Sequence, residues 1–372
     1  MVVNLYSPEK FDIGGPALIR AAAKNHQSVS ILTNPNQYKD FLCLLKSGVR
    51  EADRKLWARQ AIEVTARYDL AILREFGEAL RYGENPHQVG VLVGSAGVAT
   101  ARLIQGKQPS FNNYLDLDTA SQIVSDHEEK AYVIVKHGMP CGVAIDEEST
   151  LAFTRAFASD PVSAFGGVIA SNQDVEEKVA AEIVGNFYEA VIAPGFTEAA
   201  LKTFAKKPNL RVLELIARTT PEFQVREIDG GFVMQSPDRD LKAEEFKLVA
   251  GDTLEKADFA DLRFAWITVA RCRSNAIVIA KNRATIGIGV AQVNRLDAAR
   301  DAIRRAGEQV HGAVAASDGF FPFPDGLEAL AASGIKALVA PSGSIKDNEV
   351  IEAANKSGIS LYFATRRHFS HG

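Results

Sequence analysis

The feature that most limits how this chain folds is a series of short, uninterrupted apolar runs, each too short for a helix and most ending in a polar cluster. Ala131-Tyr132-Val133-Ile134-Val135 runs into Lys136-His137. Further runs span 276–280, 285–289, 312–316, 336–340 and 360–364. Ser317-Asp318 follows the fourth of the six, Pro341-Ser342-Gly343-Ser344 the fifth and Arg366-Arg367-His368 the last. Runs apolar at nearly every position predict strands in sheets covered on both faces, hence an α/β fold. In such folds ligands gather where strands end at their carboxyl side. The polar clusters are therefore the first places to look for chemistry.

Before this region, residues 1–50 read as strand, turn, helix, strand, helix. The turn is Asp12-Ile13-Gly14-Gly15-Pro16, and the helix after it runs to Lys24. Pro16 suits a first helical turn, where its missing N–H costs little. Val29-Ser30-Ile31-Leu32 reads as the second strand. The stretch from Glu51 is free of glycine until Gly77 and rich in Ala, Leu, Glu and Arg, which predicts one or two helices. A boundary is expected near 77–83, separating residues 1–78 from 79–372. There is no low-complexity tract and no short-period repeat.

Composition excludes several classes of function. With a formal net charge of −4 the chain has no overall basic field to draw it to nucleic acid. Its three cysteines, Cys43, Cys141 and Cys272, are far apart and share no CxxC spacing, which fits a reducing compartment. No signal peptide is evident, and no apolar run approaches the ~20 residues of a membrane span. The cytoplasm is the expected location, with no membrane partner.

Several motifs have both a chemical and a structural reading. Lys136-His137 offers a titratable imidazole for proton transfer and an ammonium group for a carbonyl oxygen gaining charge; it is equally a strand end meeting water. Pro140-Cys141 resembles half of a zinc deaminase signature, but position 144 is Ala and no His-x-Glu precedes it, so zinc is not expected and Cys141 reads as a small buried residue. Gly287-Ile288-Gly289 starts like a dinucleotide fingerprint, but Gln292 stands at its sixth position, and a structural turn is the better reading. No Walker loop surrounds Gly106-Lys107. Pro341–Ser344, and likewise Gly14-Gly15-Pro16, lead into helices and read either as anion cradles or as plain helix starts. Phe320-Phe321-Pro322-Phe323-Pro324-Asp325 sets three aromatics beside a carboxylate, as core or as the wall of a heterocycle pocket.

Taken together, ordered blocks from residue 80 onward resemble the bifunctional purine biosynthesis family that joins AICAR transformylase to IMP cyclohydrolase. They are Arg81-Tyr82-Gly83-Glu84-Asn85-Pro86-His87-Gln88, Ser110-Phe111-Asn112-Asn113, Lys136-His137, Pro140-Cys141-Gly142, Ser163-Ala164-Phe165-Gly166-Gly167, Ala193-Pro194-Gly195, Ser274-Asn275-Ala276, Ile286–Gly289, Ser317-Asp318, Phe320–Asp325, Pro341–Ser344 and Arg367-His368-Phe369. The resemblance implies two cytidine-deaminase-like α/β subdomains without zinc, preceded by a partial methylglyoxal-synthase-like domain, in an intertwined homodimer. It implies transfer of a formyl group from 10-formyltetrahydrofolate to the 5-amino group of AICAR, and leaves room for a potassium ion. It implies that Lys136, His137 and Asn275 carry the chemistry. Arg81, Tyr82, Asn113, Phe165, Gly166, Phe320, Asp325, Ser342, Gly343, Arg367 and Phe369 would bind the substrates.

Two departures stand out: Met139, in the loop beside His137, where bacterial members usually have Asn, and Gly289-Val290-Ala291-Gln292 in place of Gly-Ala-Gly-Gln. Residues 2–6 and 12–25 resemble the second half of the cyclohydrolase domain, with Tyr6, Asp12 and Lys24 at active-site positions. The Arg-x-Lys-Thr-Leu-His-Pro block of that domain is not in this sequence. The expectation is therefore a lost or impaired cyclohydrolase, and leftover strands with an exposed edge. The competing readings are a catalytically inactive relic or partner subunit that keeps the dimer surface, and a nucleobase deaminase, which would need zinc.

Overall fold

In the computed structural model, which describes residues 1–371, the alanine-rich segment after the Gly-Gly-Pro turn forms helix α1 (Gly14–Lys24). Gly15, Ile19, Ala22 and Ala23 fall on one stripe of it and are buried. That stripe packs on Ala58 and Ala61 of α3 (Glu51–Phe76), with Ile31 closing the cluster. Between them, α2 (Tyr38–Ser47) buries none of its residues. The strand expected at 29–32 does not form: Val2 and Leu32 make an isolated parallel bridge. Ile31 and Leu32 are buried, so the run serves as core against the helices rather than as part of a ladder. No sheet remnant with an exposed edge is found there among the described residues.

The chain divides into two compact units, and the division is not a single cut. Met1–Tyr82 is joined by Val89–Gly94 and by Gln224–Gln235. In this first unit Glu78–Ala79 pairs with Val91–Leu92, and Gln224–Ile228 forms a hairpin with Gly231–Gln235.

The second unit is built on one mixed sheet of 12 strands. In chain order its elements are β1 (Arg102–Gln105), α4 (Phe111–Ser125), β2 (Ala131–Lys136), β3 (Met139–Ile145), α5 (Ser149–Ser159), β4 (Val168–Ser171), α6 (Glu177–Val184), β5 (Ala190–Ala193), α7 (Glu198–Phe204) and β6 (Arg211–Glu214). There follow β7 (Lys247–Ala250), α8 (Lys256–Val269), β8 (Ile277–Lys281), β9 (Ala284–Gly289), α9 (Arg295–Ala306), β10 (Val314–Ser317), α10 (Asp325–Ala332), β11 (Ala337–Pro341), α11 (Asp347–Ser357) and β12 (Ser360–Ala364). Across the sheet the order is β7-β12-β11-β10-β8-β9-β3-β2-β4-β5-β6-β1.

Both faces are covered, as uninterrupted apolar strands require. Val133 and Val135 of β2, with Val278 and Ala280 of β8, face α4 and α8. Their neighbours in sequence point the other way: Tyr132 and Ile134 toward α5–α7, Ile277 and Ile279 toward α9–α11.

The order reads the same from both ends. In each half a helix precedes an antiparallel hairpin, β2–β3 or β8–β9. A strand antiparallel to the first hairpin strand follows, then two more parallel to it, and an antiparallel strand closes the outer side. The sheet is thus an internal duplication, although no short-period repeat marks it in the sequence. The halves meet where β3 and β9 pair at Ala144 and Ala284. There the buried Thr285 Oγ1 accepts Val143 N at 2.9 Å.

The glycines of 287–289 lie inside β9, not in a turn. A Cβ on Gly287 would come within 2.1 Å of Ala302 O, and one on Gly289 within 2.0 Å of Ala298 O. They let α9 lie directly on the strand. Gly142 does the same for α5, where a Cβ would meet Ala156 O at 1.9 Å.

Candidate active site

The hairpin β2–β3 turns through His137 (φ 55°) and Gly138 (φ 70°). Two successive left-handed residues make the tight turn whose twist matches its strands. His137 is exposed and Lys136, the last residue of β2, is half-buried. The Lys136 ammonium donates to Phe165 O at 2.7 Å, tying the strand end to the Phe165-Gly166 segment. Gly166, left-handed at φ 77°, donates its N–H to Phe187 O at 2.8 Å, and the Phe165 and Phe187 rings pack 5.2 Å apart. Met139 is the first residue of β3, paired with Lys136, and not part of a loop as its sequence position suggests.

Asp116 of α4 lies under the turn. Its Oδ1 accepts Gly138 N at 2.6 Å, and it also accepts the N–H of His137. Burial raises its pKa; those two amides, and the nearby side chains of His137 and Arg273, oppose the rise. Asn113 sits one helical turn earlier on the same face. It is buried, and its Oδ1 accepts Ser110 N at 3.0 Å in a capping box.

The segment Arg273–Asn275 adjoins this turn: a Cβ on Gly138 would stand 2.9 Å from the Arg273 guanidinium. The Ser274–Asn275 peptide is cis. Both ends of the Asn275 side chain are held. Its Nδ2 donates to Gln292 O at 2.8 Å, and its Oδ1 accepts Arg295 Nη2 at 2.7 Å. Arg295 is buried and ion-paired with the wholly buried Asp318, which also accepts the Ser274 hydroxyl and Ala276 N. Asp318 O accepts His368 N at 2.9 Å, and Ser370 O accepts Ser274 N at 2.8 Å, which brings in the C-terminal segment. There the Arg367 guanidinium lies 4.7 Å from the centre of the Phe369 ring. That ring rests on Gly319, where a Cβ would meet it at 2.3 Å. His368 is buried edge-on against Trp266, with its Nδ1 at 2.5 Å from the Asp238 carboxylate.

The structure therefore gathers Lys136, His137, Phe165, Gly166, Asn275, Arg367 and Phe369 into one connected region, with the half-buried Phe320 next to Gly319. Asp325 opens α10 and accepts Gly326 N at 2.7 Å. Ser342 donates its N–H to Ala364 O at 3.0 Å, past the end of β11. The amides of Gly343 and Ser344 are already taken by Asp347, at 2.8 and 3.1 Å, so a carboxylate of the chain itself fills the cradle read from Pro341–Ser344. Asp12 does the same at α1, accepting Gly15 N at 2.7 Å. Asp12 thus sits at the start of α1 and Lys24 at its end, about 15 Å along the axis; Tyr6 is exposed. Arg81 and Tyr82 belong to the first unit and stack on one another at 5.3 Å. Among the described residues no group of three or more His, Cys, Asp or Glu is placed to hold a metal ion. Burial pushes the Cys141 thiol up to about 12.

Sequence reading missed Asp116, Arg273 and Arg295. Asp116 had a signal, since it lies one helical turn beyond the candidate Asn113. Arg295 had none, because its link to Asn275 exists only once α9 is laid on the sheet.

The family model described as the AICARFT/IMPCHase bienzyme matches residues 22–305. The bifunctional purine biosynthesis protein PurH of Corynebacterium glutamicum is 45% identical over 397 residues, covering 98% of this chain and 76% of the relative. PurH of Mycobacterium marinum is 44% identical over 396 residues, with the same coverage of 98% and 76%.

Proposed function

The chain belongs to the AICARFT/IMPCHase bienzyme family, and from that premise we propose that its chemistry is carried by the hairpin end Lys136-His137, with Asn275 beside it. The activity is AICAR formyltransferase, in purine biosynthesis. The observation that supports the residue roles is the presentation of an exposed imidazole on the β2–β3 turn, with Lys136 bound to the segment on one side and Arg273–Asn275 on the other.

In the reaction the AICAR amine attacks the formyl carbon of 10-formyltetrahydrofolate. That amine is a poor nucleophile, because its lone pair is delocalised into the imidazole ring. It gains reactivity as its proton leaves. His137, free of packing, takes the proton and returns it to the folate nitrogen as the carbon–nitrogen bond breaks. The formyl oxygen gains negative charge and needs a donor. Lys136 has N–H groups left after its bond to Phe165 O. Asn275, fixed at both ends of its amide, orients the reacting groups. Arg367 and Arg81 are the phosphate-binding candidates, since guanidinium grips phosphate bidentately. Phe320, Phe369, Asp325, Ser342 and Gly343 are the further substrate contacts, with Tyr82, Asn113, Phe165 and Gly166.

The two halves of the sheet are read as the two cytidine-deaminase-like subdomains, residues 79–372 as the transformylase part, and the assembly as a cytoplasmic homodimer. Asp318 is already engaged by Arg295, Ser274 and Ala276. Tyr6, Asp12 and Lys24 are the cyclohydrolase positions of the first unit.

The test is tetrahydrofolate formation from AICAR and 10-formyltetrahydrofolate. His137→Ala is expected to lower turnover about 10²–10⁴-fold, the usual worth of a general acid–base group, while AICAR still binds. A variant that keeps its turnover overturns the role given to His137.

A further inference from the structure

The duplication of the sheet places a second copy of the hairpin device in the other half. Lys281 ends β8 as Lys136 ends β2. Asn282 (φ 54°) and Arg283 (φ 55°) form its two left-handed residues. Asp261 of α8 accepts both amides, Asn282 N at 2.7 Å and Arg283 N at 2.6 Å. The spacing from carboxylate to lysine is the same, 116 to 136 and 261 to 281. The lysines also match: Lys281 donates to His311 O at 2.8 Å, three residues before β10, as Lys136 donates to Phe165 O three residues before β4.

What differs is the cargo. The first turn carries an imidazole, the second an asparagine. The carboxylate under the turn is therefore common to both halves and independent of the chemistry, whereas the histidine is particular to one. A left-handed backbone is unfavourable for a residue with a side chain, and His137 holds it at φ 55°. One carboxylate accepting both amides of the turn fixes that conformation, and with it the direction in which the imidazole leaves the chain.

We propose that Asp116 is the positioning residue of the formyl transfer, holding the His137–Gly138 turn so that the imidazole meets the reacting amine, and that Asp261 performs the same backbone task at a turn without chemistry. This rests on the reading of His137 as the group that moves the proton. Asp116 touches neither substrate in this scheme; it acts through the backbone of His137.

The repeat supplies its own control. In the full-length chain, Asp116→Ala, Asp116→Asn and Asp261→Ala are compared with the unaltered protein for kcat, KM for AICAR and thermal midpoint. Displacement of a catalytic group by about 1 Å can cost about 10²-fold, so Asp116→Ala is expected to lower kcat about 10²-fold with KM changed less than about threefold. Asp116→Asn keeps one acceptor oxygen and is expected to lose only about tenfold. Asp261→Ala is expected to lower the thermal midpoint as Asp116→Ala does, with kcat within about threefold of the unaltered chain. If Asp116→Ala does not fold, Asp116→Asn set against Asp261→Asn makes the same comparison. Unchanged kcat in the Asp116 variants overturns the proposal, as does an equal loss of kcat in the Asp261 variants. An unaltered chain that forms no tetrahydrofolate overturns the functional reading itself, a result distinct from either.

Discussion

Replacing Arg295 with methionine should cost both stability and turnover, and the structure sets the size of each. The guanidinium is buried and meets four acceptors. Its Nη2 donates to Asn275 Oδ1 at 2.7 Å; its Nη1 is bonded to Ser317 Oγ at 2.9 Å, Ala276 O at 3.3 Å and the Asp318 carboxylate. Asp318 is wholly buried, so losing Arg295 leaves a buried carboxylate without its ion-pair partner. Breaking a buried pair from one side costs about 3–5 kcal/mol. Arg295→Met is expected near 4 kcal/mol on that scale (about 4, since methionine refills only the stem) and Asp318→Asn at about 3 kcal/mol. The double variant removes the charge mismatch that each single change creates, and it should fall short of the sum by about 2 kcal/mol. Urea unfolding of the four proteins measures this directly. Arg295→Met should also lower kcat, because Asn275 Oδ1 loses its donor and the amide is then held only at Nδ2 by Gln292 O. Energies that add to within about 0.5 kcal/mol would refute the pair as a coupled unit. Unchanged kcat in Arg295→Met would refute its hold on Asn275.

The close approach of α9 to β9 predicts that Gly289→Ala loses about 3 kcal/mol, the upper end of ordinary overpacking, because the new Cβ meets the helix backbone at Ala298 O; thermal unfolding tests it. Thr285→Val keeps the shape but removes the acceptor of Val143 N, and should cost about 2 kcal/mol by urea unfolding. His127 is buried against Phe264 with Nε2 unpartnered, and burial lowers its pKa to about 4, against the opposing pull of Asp126 and Glu129. The unfolded chain binds this proton first, so the stability it confers is complete above about pH 6.5 and is lost as pH falls toward 4. Between pH 7 and pH 5 that amounts to about 2 kcal/mol, which His127→Leu should remove from the acid loss; an unchanged pH slope in that variant defeats the assignment.

The sheet was legible because β2, β8 and β10–β12 are apolar on both sides, and a strand so composed has to be covered twice. The site was legible in part for the same reason: polar residues at the ends of such strands stand out, and Lys136-His137 stands out most. Val29-Ser30-Ile31-Leu32 misled because an apolar run reports burial, not pairing; it found helices to pack on and no strand ladder to join. Gly287 and Gly289 misled because a strand glycine that admits a helix backbone looks, in one dimension, like a glycine that permits a turn. Arg295 was hidden because a charged residue after the Asn294 cap reads as solvent-facing, and only the placement of α9 carries it inside. The duplication was hidden because its matches are scattered and become visible only once the two hairpins are superposed. What the copies keep includes a Val-Ile-x-Lys strand end, two left-handed residues, a glycine six residues past the lysine and an aspartate one helix back.

The seam at Ala144 and Ala284 has a consequence for dissected versions of the molecule. A polypeptide holding only the first half would keep β3 paired with β2 but leave open its other edge, the one that normally meets β9. Because the halves are built alike, the most available substitute would be β3 of another such polypeptide, and self-complementation would compete with reunion of the true halves.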